Sequence, residues 1–237
     1  GTCSNWYGNR SQLQPHDLTE DYRRLLNLTS EKLEQGLLAL NTSVLGPQEL
    51  HFRSLSEKRT FTNPLHAAAN RPLRYTTYIC TMHGDFNQHN ILLDDNDNTW
   101  LIDFLRTGQG HILRDISELD SVVRFELLTE QEATLDERLK MEEALCSIER
   151  FSQIKQLDSK FSTENSAVAK AYVTVVHLRK LAGNLLRRGT HHSMDEYYAA
   201  LLYHALNTLR FYDLSVTRRE HALLCASLLA DKLRLKG

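Results

Sequence analysis

The sequence is short of turn formers. Four prolines and ten glycines in 237 residues leave few obligatory breaks and predict long regular elements. Cysteine is equally sparse: Cys3, Cys80, Cys146 and Cys225 lie far apart with no C-x-x-C pair. That spacing excludes a zinc ribbon and a thioredoxin-type redox site. Sparse cysteine fits a reducing compartment, so the expected location is cytoplasmic; disulfides are not excluded by the sequence. No run of about 18 apolar residues occurs and the N-terminus is not a secretory signal, so no membrane partner is expected. Nor is there an excess of either charge. Twenty-eight Lys+Arg against 30 Asp+Glu give a formal charge of -2. This balance leaves no footprint for general nucleic-acid or anionic-membrane binding, although a local basic patch stays open.

What is present is ordinary globular composition, 41% hydrophobic and 24% charged, enough to bury a core. The length is about one and a half times a ~150-residue domain. The leading residue is Gly1, the expected mark of a processed or excised chain. No internal repeat or low-complexity linker stands out. Residues up to about 45 read as helical, with Leu25, Leu26, Leu33, Leu37, Leu38 and Leu40 at three- and four-residue spacings. Pro47, Pro64 and Pro72 punctuate residues 46–75, where a helix is predicted over Pro64–Asn70 with loop on both sides. Tyr75–Cys80 is rich in strand formers. After residue 113 helices return. Three capping-box patterns, Thr134–Glu137, Ser193–Glu196 and Thr217–Glu220, predict helix starts. The first helix is expected to bury Leu139, Leu145, Ile148, Phe151 and Ile154. The other helices are predicted over 165–188, 194–212 and 218–235. Tyr197, Leu201, Leu202, Ala205, Leu209 and Tyr212, with Phe211 beside them, form an apolar stripe. Leu223, Leu224, Leu228, Leu229 and Leu233 form another; both read as core. The fold class is therefore mainly α with a small β-hairpin near the middle.

The chemistry-bearing segment runs His83-Gly84-Asp85-Phe86-Asn87-Gln88-His89-Asn90-Ile91-Leu92-Leu93 and then Trp100-Leu101-Ile102-Asp103-Phe104. Two apolar runs separated by Asp94–Asn98 read as a hairpin. If Leu93 faces Trp100, Asn90 faces Asp103, and opposed Cβ atoms lie roughly 4.5–5.5 Å apart. An amide oxygen and a carboxylate there are hard ligands suited to Mg²⁺. Asp85, on the loop just before, could accept a proton from an attacking hydroxyl.

These residues resemble the catalytic and metal loops of kinases. His-Gly-Asp in place of His-Arg-Asp is similar to the aminoglycoside phosphotransferase and choline kinase branch. The run through Thr107-Gly108-Gln109-Gly110-His111 and Leu113-Arg114-Asp115, with the segment Leu206–Ala222, resembles the ternary complex-associated domain 9 group of bacterial kinase-like proteins. The detailed likeness spans about residues 78–128. The resemblance implies that Asp85 is the catalytic base and that His83 supports the loop. Gly84 replaces the protein-kinase arginine. Asn90 and Asp103 would bind Mg²⁺ and, through it, the ATP cofactor. Asp115 would brace the lobe after the metal loop. It also implies a protein-kinase-like C-terminal lobe: a single unit over 1–237, with leading helices and loops over 1–74, the catalytic and metal loops over 75–112, and a helical bundle over 113–237. The expected function is ATP- and Mg²⁺-dependent phosphoryl transfer to an unknown hydroxyl acceptor, as part of a larger bacterial signalling or defence protein.

The departures are specific. Leu105 follows Asp103-Phe104 where protein kinases carry Gly, a change common in the phosphotransferase branch. The residues before His83 hold no Gly-rich phosphate loop and no Val-Ala-Ile-Lys-like strand, so no N-lobe is evident. The expected partners are therefore the missing lobe or other domains of the parent protein. One alternative is an inactive kinase-derived regulatory or scaffold module; another is a metal-dependent hydrolase using His83, Asp85 and His89. The bland readings make Asp85 a turn former, Asn90 a cap and Asp103 a carboxylate satisfied by backbone. Asp94, Asn96 and Asn98 start like a calcium loop, but Thr99 stands where Gly is required and Leu105 where Glu is. Cys80, His83, His89 and His111 match no zinc spacing. His191-His192 reads as a solvated loop. Arg106, Arg114 and Arg124 could meet an anion; the favoured readings pair Arg114 with a neighbouring carboxylate and put Arg124 on a helix face. Asn87 and Gln88 lie inside the loop with open roles.

Overall fold

The computed structural model describes residues 7, 13–70, 72–186 and 193–233. Cys3, His191-His192 and the far ends of the helices expected to reach 188 and 235 lie outside the described residues.

Helices dominate, with small antiparallel sheets between them. Strand β1 (Gln14–Asp17) leads into α1 (Leu18–Leu25), and α2 (Ser30–Leu38) follows. Each helix starts where a polar side chain takes an otherwise orphaned amide. Asp17 accepts from Glu20 N and Thr29 from Lys32 N. Then come β2 (Thr42–Val44), β3 (Glu49–Phe52), β4 (Phe61–Thr62), α3 (Pro64–Asn70), β5 (Arg74–Thr77) and β6 (Ile79–Met82). β2, β3 and β4 form one sheet, while β1 pairs with β5. Residues up to 45 are thus not purely helical as their leucine spacing suggested, since β1 and β2 lie among them, and the stretch before Pro64 holds β3 and β4 where loop was expected. The β runs there are two to four residues long, too short to show a period of two.

The predicted hairpin is present as β7 (Ile91–Leu93) and β8 (Thr99–Leu101), but one residue out of the expected register. Leu93 pairs with Thr99 and Leu92 with Trp100. The cause is the turn. Asp94 N donates to Asn98 O, and Asp97 sits at a φ of 59°, leaving an odd three-residue loop. Asp94 accepts from the Asn96 and Asn98 amides, Asn98 Nδ2 and Trp100 Nε1, which hold its carboxyl down at about 2. Asn90 consequently faces Ile102, not Asp103: Ile102 N donates to Asn90 O at 3.1 Å. β9 (Gly108–His111) returns to pair with β6.

The second half is α4 (Arg114–Val122), running on into a π turn at Val123–Leu127, then α5 (Leu135–Leu145), α6 (Ser166–Leu186), α7 (Asp195–Thr208) and α8 (Val216–Lys232). Thr134 and Glu137 form the predicted capping box. That helix stops at Leu145, and Ile148 and Ile154 are buried from a following loop and 3₁₀ run, where Phe151 is half-buried. The other two capping patterns do not act as such. Ser193 accepts the Asp195 amide, but Glu196 turns inward to Thr77 and His111. The cap of α8 is Ser215, and Glu220 instead accepts the Asn41 amide. α7 is buried on nearly all sides, as its all-round apolar sequence requires. It packs on α8, α4 and α1. Tyr212 lies past its end and is exposed, so the apolar stripe ends at Leu209. One apolar cluster includes residues from Tyr7 to Leu233.

Charged groups tie the helices together inside this core. Asp120 pairs with Arg124 at 2.6 Å and with Arg179 at 3.1 Å, and accepts from Tyr197 Oη. Glu142 pairs with Arg124 and accepts from His221 Nε2. Since a carboxylate only accepts, His221 carries its proton on Nε2, and Nδ1 faces Arg138 Nη1. Burial and the neighbouring arginines push the His221 pKa down to about 4, although Glu142 opposes them. Arg124 therefore sits in an internal ion network rather than on an open helix face. Arg114 does meet a carboxylate, but it is Asp21 of α1, 93 residues away in sequence. Cys80, Cys146 and Cys225 are buried. No helix among the described residues is long and apolar enough to cross a membrane.

Candidate active site

The site is built where four segments meet: the end of β6, the turn before β7, the residues after β8, and the start of α4. Asp115, at the first turn of α4, organises it. Its Oδ2 accepts the His83 amide at 2.8 Å and its Oδ1 the Gly84 amide at 3.0 Å. Tyr7 Oη donates to the same Oδ2 at 2.7 Å. One buried carboxylate thus fixes two consecutive amides of the loop before β7, whereas the resemblance had Asp115 brace the lobe after the metal loop.

Gly84 has a φ of +83°, which favours glycine. A Cβ there would lie 2.2 Å from the Arg106 carbonyl oxygen. The glycine of His-Gly-Asp is therefore demanded by the close passage of the following loop. His83 is buried between the rings of Phe86 and Phe104. Its Nε2 lies 2.8 Å from the Ile102 carbonyl, which can only accept, so this nitrogen carries the proton. His83 thereby clamps the residue just before Asp103.

Asp85 is half-buried. Asn90, the last residue of a 3₁₀ turn at Gln88–Asn90, donates its side-chain amide to Asp85 O at 2.8 Å and to Asp85 Oδ2 at 3.2 Å. Arg106 Nη1 lies 3.5 Å from Asp85 Oδ1. Asn90 and Asp103 are not joined by strand pairing. They flank Ile102, Asn90 through a backbone bond and Asp103 along the chain. Asp103 is exposed, in left-handed backbone at φ 59°, ψ 67°. Among the described residues its carboxylate makes no hydrogen bond to Asn90 or Asp85. Left-handed backbone at a non-glycine residue costs of order 1–3 kcal/mol and tends to mark functional sites.

The structure brings together His83, Asp85 and Asn90, with Asp103 at the adjoining corner. His89 and His111 do not join them. His89 faces Gln88 on the surface, and His111 is buried between Glu196 and Tyr22. Cys80 is core. Among the described residues no three His, Cys, Asp or Glu converge as metal ligands. Asn87 caps the 3₁₀ turn by accepting the His89 amide.

Beside Asp85 a cleft of about 470 Å³ opens between the loop, α4 and the end of α7. Sequence reading missed its Glu118, Glu126 and His204. Glu118 Oε2 accepts the Phe86 amide at 3.0 Å. Burial first, with Asp115 and Asp85 adding, pushes its carboxyl up to about 7. Glu118 lies one helical turn after Asp115, the spacing that could have drawn attention to it.

Comparison with known proteins gives one match. The family described as ternary complex associated domain 9 matches residues 18–210. The chain belongs to the ternary complex associated domain 9 family. No curated protein and no solved structure matches it. Within this domain 9 chain the matched span takes in every residue of the candidate site except Tyr7, and ends inside the turn after α7.

Proposed function

We propose that this domain 9 chain is the catalytic lobe of a kinase-like phosphotransferase that uses ATP and Mg²⁺. The observation that carries the reading is the Asp85–Asn90 side-chain pair, set beside the His83-clamped residue that precedes Asp103. The donor chemistry fits the cation. Asp103 offers an exposed carboxylate, and Asn90, whose amide nitrogen is spent on Asp85, offers its oxygen; both are hard ligands. When bound, Mg²⁺ would neutralise charge on the phosphoryl group being transferred. Asn90 and Asp103 would hold it, His83 fixes the backbone that presents Asp103, and Asp85 would orient the acceptor hydroxyl and take its proton. Arg106 would have to yield its contact with Asp85 as the acceptor enters.

Leu92, Leu93, Trp100, Ile102, Phe104 and Leu105 form a run of exposed apolar side chains on the hairpin and the loop after it. A second lobe, supplied by other domains of the parent protein, would cover them, consistent with a role in a bacterial signalling or defence protein. The Arg106–Asp85 contact also favours a second reading, a catalytically silent regulatory module. The hydrolase reading gains no support, because His83 is buried with its Nε2 turned to the Ile102 carbonyl and His89 turns its Nε2 to Gln88.

The deciding experiment is Mg²⁺-dependent ATP turnover by the full-length protein. Asp103→Ala is expected to abolish it, a loss of several kcal/mol in transition-state stabilisation. Turnover at the wild-type rate in that variant removes the assignment. A wild-type protein with no turnover and no nucleotide affinity favours the silent module.

A further inference from the structure

The cleft beside Asp85 is of small-molecule size. Its charges are already answered within its own walls. Arg106 faces Asp85. Arg210 donates to the Leu26 and Asn27 carbonyls at 2.7 and 3.1 Å and to Asn207 Oδ1. Glu118 accepts the Phe86 amide, and Glu126 accepts from Gln88 Nε2. Two guanidiniums, Arg106 and Arg210, stand against three carboxyls, of which Glu118 is raised to about 7, so the walls carry little net charge with which to recognise a strongly charged ligand.

The remaining lining mixes polar side chains with apolar ones, Leu25, Leu26 and Val122 among them. Ser121 and Thr208 donate their hydroxyl protons to the Glu118 and His204 carbonyls, which leaves their oxygens as acceptors. His204 is only 4% exposed, and among the described residues its Nε2 has no hydrogen-bond partner. Burial, with Arg114 and His111 adding, pushes its pKa down to about 3, so the ring is neutral. A buried polar atom without a partner is costly, and a ligand that supplies one recovers that cost. A hydroxyl both donates and accepts, so it suits either tautomer of His204 and either protonation state of Glu118.

We propose that this cleft binds the phosphoryl acceptor, and that the acceptor is a compact uncharged polyhydroxyl compound of the sugar or cyclitol class, contacted by Glu118 and His204. This rests on the phosphotransferase reading for the word acceptor, but the binding itself needs no nucleotide.

The test is an NMR titration of the ¹⁵N-labelled chain, without ATP or Mg²⁺, using three probes of similar size: methyl glucoside, cationic glucosamine and anionic glucuronate. Methyl glucoside is expected to shift the Phe86 amide saturably and to bind about tenfold tighter than either charged probe, a difference of ~1.4 kcal/mol. Glu118→Leu and His204→Phe are each expected to weaken that binding about tenfold; a retained spectrum shows that the variant folds, and either variant alone suffices. Tighter binding of a charged probe, no binding of methyl glucoside, or binding untouched in a folded variant overturns the proposal. Sugar binding that persists while Asp103→Ala turns over ATP normally sinks the catalytic reading and leaves the binding site standing.

Discussion

Two polar clusters in this molecule use the same kinds of side chain to opposite ends. In the helical half, Asp120, Arg124, Glu142, Arg179 and His221 are wholly enclosed, and two guanidiniums face two carboxylates. At the loops, Asp85, Asp103 and Arg106 stand at a surface beside the buried Asn90, with one carboxylate half-engaged and another open to water. Burial makes the first cluster unforgiving, since any member removed strands its partners in a medium that cannot solvate them. Exposure makes the second tolerant of loss but able to receive something from outside. Charge alone does not mark a site; unspent bonding capacity beside an opening does.

The contrast can be broken most forcefully at Asp120. Asp120→Ala leaves Arg124, Arg179 and Tyr197 without their shared acceptor, and is expected to cost about 3–5 kcal/mol. Asp103→Ala is expected to stay within about 1 kcal/mol of the parent. Urea unfolding of both variants measures the difference; equal losses would erase the distinction between frame and site. A smaller effect is expected at the seam between the two loops. Gly84→Ala drives a Cβ against the Arg106 carbonyl and should cost about 1–3 kcal/mol. Parental stability in that variant would mean the loops do not pass this closely.

The mildest test concerns Glu118, whose carboxyl is raised to about 7 by burial and by Asp115 and Asp85. A raised carboxyl favours the folded state most below its unfolded pKa, roughly 4.3. That contribution fades as pH rises through about 7. His221 and His204, lowered to about 4 and about 3, work in the opposite direction on the acid side. The readout is therefore the difference between parent and Glu118→Gln. The parent should lose on the order of 1–3 kcal/mol relative to the variant between pH 5 and pH 8. Parallel stability profiles would show that the carboxyl titrates normally.

Much of the scaffold was readable because it follows local rules. The Thr134–Glu137 box, the helix at Pro64–Asn70 and the hairpin all appear, since capping and turn chemistry act within a few residues. The hairpin's register escaped because even and odd loops share the same Asp/Asn composition, and only the left-handed Asp97 decides between them. Ser193–Glu196 and Thr217–Glu220 matched a local motif and lost to tertiary demands: Glu196 serves His111, and Glu220 serves Asn41. In the candidate site, the family resemblance pointed to His83 and Asp115, and spacing around the hairpin to Asp85, Asn90 and Asp103. It hid His204, which belongs to a helix whose apolar neighbours made it look like ordinary core, and it gave no hint that Arg114 would find Asp21.

Asp115 leaves one more consequence. Because the same carboxylate oxygen takes both the His83 amide and the Tyr7 hydroxyl, the His83–Asp85 loop is moored to a residue 76 positions upstream of His83. Slackening that rope by Tyr7→Phe would free the oxygen to recentre on the loop, so the N-terminal edge serves as a handle on the geometry around Asp85.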